Sequence, residues 1–90
     1  MNAKLLSKVI EVENRVNTIC KCLVLGEADH FEVHYTSTQV SITAYTHNEQ
    51  VHKKLTDLMK IYAEPTDKVE KHVIEGKTLN FWTSEMIISL

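Results

Sequence analysis

The chain has 90 residues and a formal net charge of −2. That length allows one domain, residues 1–90. A net negative charge offers phosphate backbones no general attraction, so nucleic-acid binding is not expected. No apolar run reaches the roughly 18 residues of a membrane span, and the start, Met-Asn-Ala-Lys-Leu-Leu-Ser-Lys, has no signal-peptide core. Two cysteines, Cys20 and Cys22, cannot build a disulfide framework, which makes a reducing cytoplasm the default compartment. A domain this small buries only about 60% of its unfolded surface, so self-association is expected.

The first 25 residues contain neither Gly nor Pro. Leu5, Val9, Val12, Val16, Ile19 and Leu23 recur in steps of four and three, one stripe of a long helix. Leu6, Ile10, Cys20 and Val24 widen that stripe into a broad face suited to packing on a sheet. The same spacing also allows a coiled coil. Gly26 follows as a C-terminal cap.

From His30 the period changes to two. Phe31, Val33 and Tyr35 alternate with polar neighbours, and after Ser37-Thr38-Gln39 so do Val40, Ile42 and Ala44. Two antiparallel strands joined by a tight turn are predicted. Thr46-His47-Asn48-Glu49 reads as a capping box opening a second helix. That helix carries Val51, Leu55, Leu58, Met59 and Tyr62 and stops near Glu64, because Pro65 disfavours helix in the residue before it. A second hairpin follows: Val69 to Ile74, the turn Glu75-Gly76-Lys77, then Leu79 and Phe81 alternating with Asn80 and Trp82. Met86 to Leu90 is a further strand or a docked tail. The order is α-β-β-α-β-β. It predicts an α+β fold with a four-stranded antiparallel sheet and both helices on one face.

Core alternation puts His30 and His47 on the non-core face at the open end of the first hairpin. A turn centred between Thr38 and Gln39 pairs them directly. A turn one residue earlier pairs His30 with Tyr45 and leaves His47 on the diagonal. His47 also occupies the first turn of the second helix, whose positive end favours a neutral imidazole able to accept a proton. Asp29, Glu32 and His34 continue the polar strip, and residues 23–52 hold no Lys or Arg. Such a site suits a neutral or cationic small molecule. His30 and His34 are too far apart on one strand to chelate one ion, so no metal is expected. Cys20 and Cys22 point about 200° apart on a helix, which argues against a redox pair.

The run from His30 to His47, His-Phe-Glu-Val-His-Tyr-Thr-Ser-Thr-Gln-Val-Ser-Ile-Thr-Ala-Tyr-Thr-His, resembles the central segment of the pterin-4a-carbinolamine dehydratases. There a His-His-Pro-Glu start leads through a strand, a turn and a second strand to Thr-His and a helix. His30 takes the place of the second His and Glu32 of the Glu, and Thr46-His47 closes the segment without insertion or deletion. Asp29 stands where the family has its first His and Phe31 where it has Pro. Asp57 falls near an Asp of the family's following helix. Glu75-Gly76-Lys77 and the alternating residues after it look like the family's opening hairpin, displaced to the end as in a circular permutant. The resemblance implies dehydration of 4a-hydroxytetrahydropterin without metal or cofactor, by a dimer or tetramer. His47 would carry the proton, with His30 and Asp29 assisting. Glu32, Thr46 and Asp57 would support the substrate. The other expectation is a non-catalytic, homodimeric regulatory or inhibitory module on the same fold, with a protein partner.

Overall fold

The computed structural model describes residues 3–89, leaving the side chain of Leu5 outside the described set. Helix α1 spans Ala3–Leu25. Its end is built differently from the glycine cap expected. The Ala28 amide donates to Leu23 O (3.1 Å) and the Glu27 amide to Val24 O (3.1 Å), a Schellman pattern. Glu27, at φ 68°, takes the left-handed position. Gly26 is needed for room: a Cβ there would sit 2.9 Å from Leu55 Cδ2 and 3.1 Å from Leu58 Cδ1. The glycine thus permits close approach of the two helices, and Glu27 bears the unfavourable backbone angle.

Strands β1 (His30–Tyr35) and β2 (Gln39–Thr46) form the first hairpin, with His30 opposite Tyr45. This is the earlier of the two turn centrings. The Thr36 hydroxyl selects it by accepting from the amides of Thr38 (3.3 Å) and Gln39 (3.1 Å), while the Thr36 amide donates to Gln39 O (2.9 Å).

Helix α2 covers Glu49–Lys60, with Asn48 as its N-cap; Asn48 Oδ1 accepts from the amides of Gln50 (2.9 Å) and Val51 (3.1 Å). Thr46 does not serve as the cap expected of it. It belongs to the core-facing parity of β2, is buried, and accepts instead from the Asn48 amide (3.1 Å). The helix also ends earlier than Glu64, passing after Lys60 into turns in which the Tyr62 and Ala63 amides both donate to Met59 O.

Strands β3 (Thr66–Ile74) and β4 (Lys77–Ser89) meet at a turn where Glu75 (φ 52°) and Gly76 (φ 76°) both take positive angles, the type I′ geometry that matches strand twist. The last apolar residues up to Ser89 continue β4, and Leu90 lies outside the described residues. The sheet is antiparallel, in the order β1-β2-β4-β3. Two helices and four strands give the α+β fold and element order that the periodicities predict.

The core joins Val12, Val16, Ile19 and Leu23 of α1, Val40, Ile42 and Ala44 of β2, Leu55 and Met59 of α2, and Met86 and Ile88 of β4. On β4 the even positions face the helices, because Trp82, Ser84, Met86 and Ile88 pair with Thr46, Ala44, Ile42 and Val40. Leu79 and Phe81, which head the expected alternation, therefore fall on the other face. The broad buried face expected on α1 is also narrower: Leu6, Ile10 and Val24 remain 48%, 49% and 62% exposed. No described side chain between Ala3 and Glu11 is buried.

Candidate functional site

The helices cover one side of the sheet, so alternate residues of all four strands project from the other. His30, Glu32 and His34 of β1 stand beside Tyr45, Thr43 and Ser41 of β2, with Thr83 and Glu85 of β4 next and Lys68 and Thr66 of β3 at the far edge. All of these but His30 and Ser41, joined by Glu70, His72 and Phe81, line an open depression of about 650 Å³, whose charged and hydroxyl groups include Glu32, Tyr45, Lys68, Glu70, His72 and Glu85.

Glu32 is the hub on the β1 side. Its Oε2 lies 3.2 Å from His34 Nε2 and accepts from the Tyr45 hydroxyl at 3.3 Å; its Oε1 lies 3.4 Å from His30 Nε2. The His34 hydrogen bond, then that of His30, holds the Glu32 carboxyl below its ordinary value. Partial desolvation, reinforced by the Glu32 charge, pushes the Tyr45 hydroxyl up. Across the depression Lys68 Nζ meets Glu70 Oε1 at 2.6 Å, and His72 Nε2 lies 3.3 Å from the other oxygen of Glu70. Hydrogen bonding to Lys68, then to His72, lowers Glu70. Both clusters face water, as the side chains of His30, His34 and His72 are 64%, 66% and 48% exposed.

A carboxyl with a depressed folded-state pKa stabilises the fold above its unfolded value and loses that contribution as pH falls through the folded value. Glu32 therefore acts in the acid range. By carbon-detected NMR its carboxyl is expected to titrate below the ordinary glutamate range, moving up in His34→Ala. An unchanged midpoint in that variant would remove His34 as the leading cause.

The six residues picked from the sequence separate into three groups. His30 and Glu32 stand together on the open face. His47 follows Thr46 onto the same face, but its ring packs edge-on against Phe81 at 4.2 Å, whereas His30 lies against Tyr45 at 5.7 Å. Both imidazoles sit outside the lining of the depression. Asp29 is committed elsewhere: its Oδ2 accepts from the His47 amide (2.9 Å), tying the start of β1 to the entrance of α2. Thr46 and Asp57 are on the helix side of the sheet, Thr46 in the core and Asp57 on an exposed turn of α2 beside Lys60 and Asp67. They do not join the imidazoles.

Lys68, Glu70 and His72 were missed as a group. Their spacing of two marks one strand face, but only the tertiary pairing of β3 with β4 brings that face to Glu32. A second polar cluster lies on the helix side. His52 Nδ1 is 3.1 Å from Ser84 Oγ, which is 2.8 Å from Thr56 Oγ1. Asp67 Oδ2 is 3.7 Å from His52 Nε2, and Trp82 stacks near the ring at 5.2 Å. The order Asp, His, Ser has the sense of a nucleophile relay, but Ser84 is 0% exposed, which closes its hydroxyl to attack on a bound molecule. The cluster instead satisfies buried polar groups. Its sequence signal is His52 and Thr56 on the apolar side of α2, with Leu55 and Met59.

Among the described residues, no three His, Cys, Asp or Glu side chains are grouped to hold a metal ion, and no helix is long and apolar enough to cross a membrane. No family model matches the chain, and searches of curated proteins and of solved structures return no match.

Proposed function

We propose that this chain acts as a small, non-catalytic interaction module that self-associates, of the regulatory or inhibitory kind. The observation that carries this reading is the apolar surface one copy leaves in water: Leu6, Ile10, Val24 and Leu25 along α1, and, on the β3–β4 hairpin, Val69 and Val73 on one face and Ile74 and Leu79 on the other. Exposed apolar side chains grouped along an element mark contact surfaces. The imidazoles of His30 and His34 also stay about two-thirds exposed on the open sheet face, whereas acid–base catalysis gains from sites that exclude water.

A second reading is favoured by a different observation: His30, Glu32 and His47 project from one face of the sheet. In that reading the face takes 4a-hydroxytetrahydropterin and eliminates its water, with His47 as proton carrier, His30 holding the pterin, and Asp29 positioning His47 through its amide. Neither a metal nor a cofactor enters.

Two measurements on the full chain separate the readings. Sedimentation equilibrium is expected to show a reversible oligomer at micromolar concentrations; a monomer throughout would overturn the first reading. Stopped-flow assay of 4a-hydroxytetrahydropterin breakdown is expected to give the buffer rate. A faster rate lost in His47→Ala would establish the dehydratase instead.

A further inference from the structure

Beside its core stripe, α1 carries a second one that the fold uses only at Cys20, which is partly buried against the core. Leu6, Ile10, Glu13, Asn17, Cys20 and Val24 recur in steps of four, three, four, three and four, a regular coiled-coil spacing. The two halves of this stripe differ. At the N-terminal half, Leu6 and Ile10 are about half exposed on a stretch of helix that buries no described side chain. At the C-terminal half, Asn17, Cys20, Val24 and Phe31 of β1 line an apolar groove of about 540 Å³. One end of the helix thus supplies knobs and the other a hole. A two-fold rotation brings each onto the other.

We propose that two copies of this chain dimerise through this stripe, antiparallel, about a two-fold axis passing near Arg15. Leu6 then meets Val24 of the partner subunit and Ile10 meets Cys20 of the partner subunit, so the apolar knobs of each copy fill the groove of the other. The midpoint layer places Glu13 opposite Asn17 of the partner subunit. An amide can donate to the carboxylate there, twice by symmetry, and a polar layer of this kind fixes register and orientation. The parallel alternative sets Glu13 against Glu13 of the partner subunit, a like-charge contact, and leaves both grooves unfilled. From Leu6 to Val24 the contact runs about 27 Å of helix, and it shields the projecting first turns of α1 that the sheet does not reach. Phe31, half-buried in one copy, becomes the groove floor. Isologous closure ends assembly at two copies along this surface.

This inference rests on the self-association proposed above, and its test distinguishes the two. In a Cys22→Ser background, Ile10→Cys places a thiol opposite Cys20 of the partner subunit, within the reach a disulfide requires. Mild oxidation with oxidised glutathione, which is reduced as the protein disulfide forms, is expected to give a covalent dimer on a non-reducing gel. Adding Cys20→Ser is expected to abolish it. Because Ile10 is half exposed, the fold tolerates its replacement, and Ile10→Glu is expected to raise the dimer dissociation constant at least about tenfold with the helical signal retained. A dimer by sedimentation that fails to cross-link, or that cross-links without Cys20, overturns the register while leaving self-association standing. A monomer by sedimentation overturns both.

Discussion

Leu55→Ala is expected to cost about 2–5 kcal/mol of stability, because it removes a fully buried side chain and leaves a cavity that the surroundings only partly close. Leu55 sits against the end of α1: its Cδ2 occupies the space that a Cβ on Gly26 would need. On that side the neighbour is a glycine, which has no side chain to move into the gap. A domain of this size holds only about 5–15 kcal/mol in total, so the variant loses a large share of its stability. Urea denaturation at fixed protein concentration reads the effect as a lower midpoint with an unchanged slope. A loss under about 1 kcal/mol would mean that the α1–α2 contact is looser than the packing around Gly26 indicates.

Ser84→Ala is expected to cost about 2–4 kcal/mol although it removes one oxygen. Its Oγ is shared between His52 Nδ1 and Thr56 Oγ1, and all three residues are buried. Removal strands two polar groups out of water, each at about 1–3 kcal/mol. If the three groups act as one network, Ser84→Ala and Thr56→Val are non-additive, the double variant being more stable than the two single losses predict. Additive losses would show instead that Ser84 matters only for its volume. The same cycle explains why a buried histidine is tolerated on the inner side of α2: one nitrogen meets Ser84, and the other faces Asp67 at 3.7 Å.

The contrast between the two hairpins shows where sequence reasoning stops. In the first, odd positions of β1 and even positions of β2 are apolar and their neighbours polar, so the face that carries His30 and Glu32 could be named in advance. Register was open by one residue in the turn centring, and the Thr36 hydroxyl decided it. In the second hairpin both parities of β4 carry large apolar groups: Leu79, Phe81 and Ile87 on one, Trp82, Met86 and Ile88 on the other. Alternation gives no answer there, and only pairing with β2 assigns the even positions to the core. That pairing also decides where Lys68, Glu70 and His72 go, and hence what faces Glu32.

Local errors have a common physical origin. Thr46 and Gly26 both satisfy the chemistry of a helix cap, but each is claimed by tertiary packing, Thr46 by the core and Gly26 by contact with Leu55 and Leu58. The neighbours Asn48 and Glu27 then take the capping positions. Asp57, expected beside the substrate from the resemblance, lies apart from the imidazoles, because α2 is on the opposite side of the sheet from them.

What the sequence by itself determined is the set of elements, their order and the polar face of the first hairpin. Each follows from periods of 3.6 and 2 that every residue obeys locally. Tertiary structure alone decided the strand order, the parity of β4, the placing of Glu32 and Glu70 with their imidazoles on one depression, and which stripe of α1 is left mostly outside the core. These depend on contacts between residues tens of positions apart, whose energies no local pattern encodes.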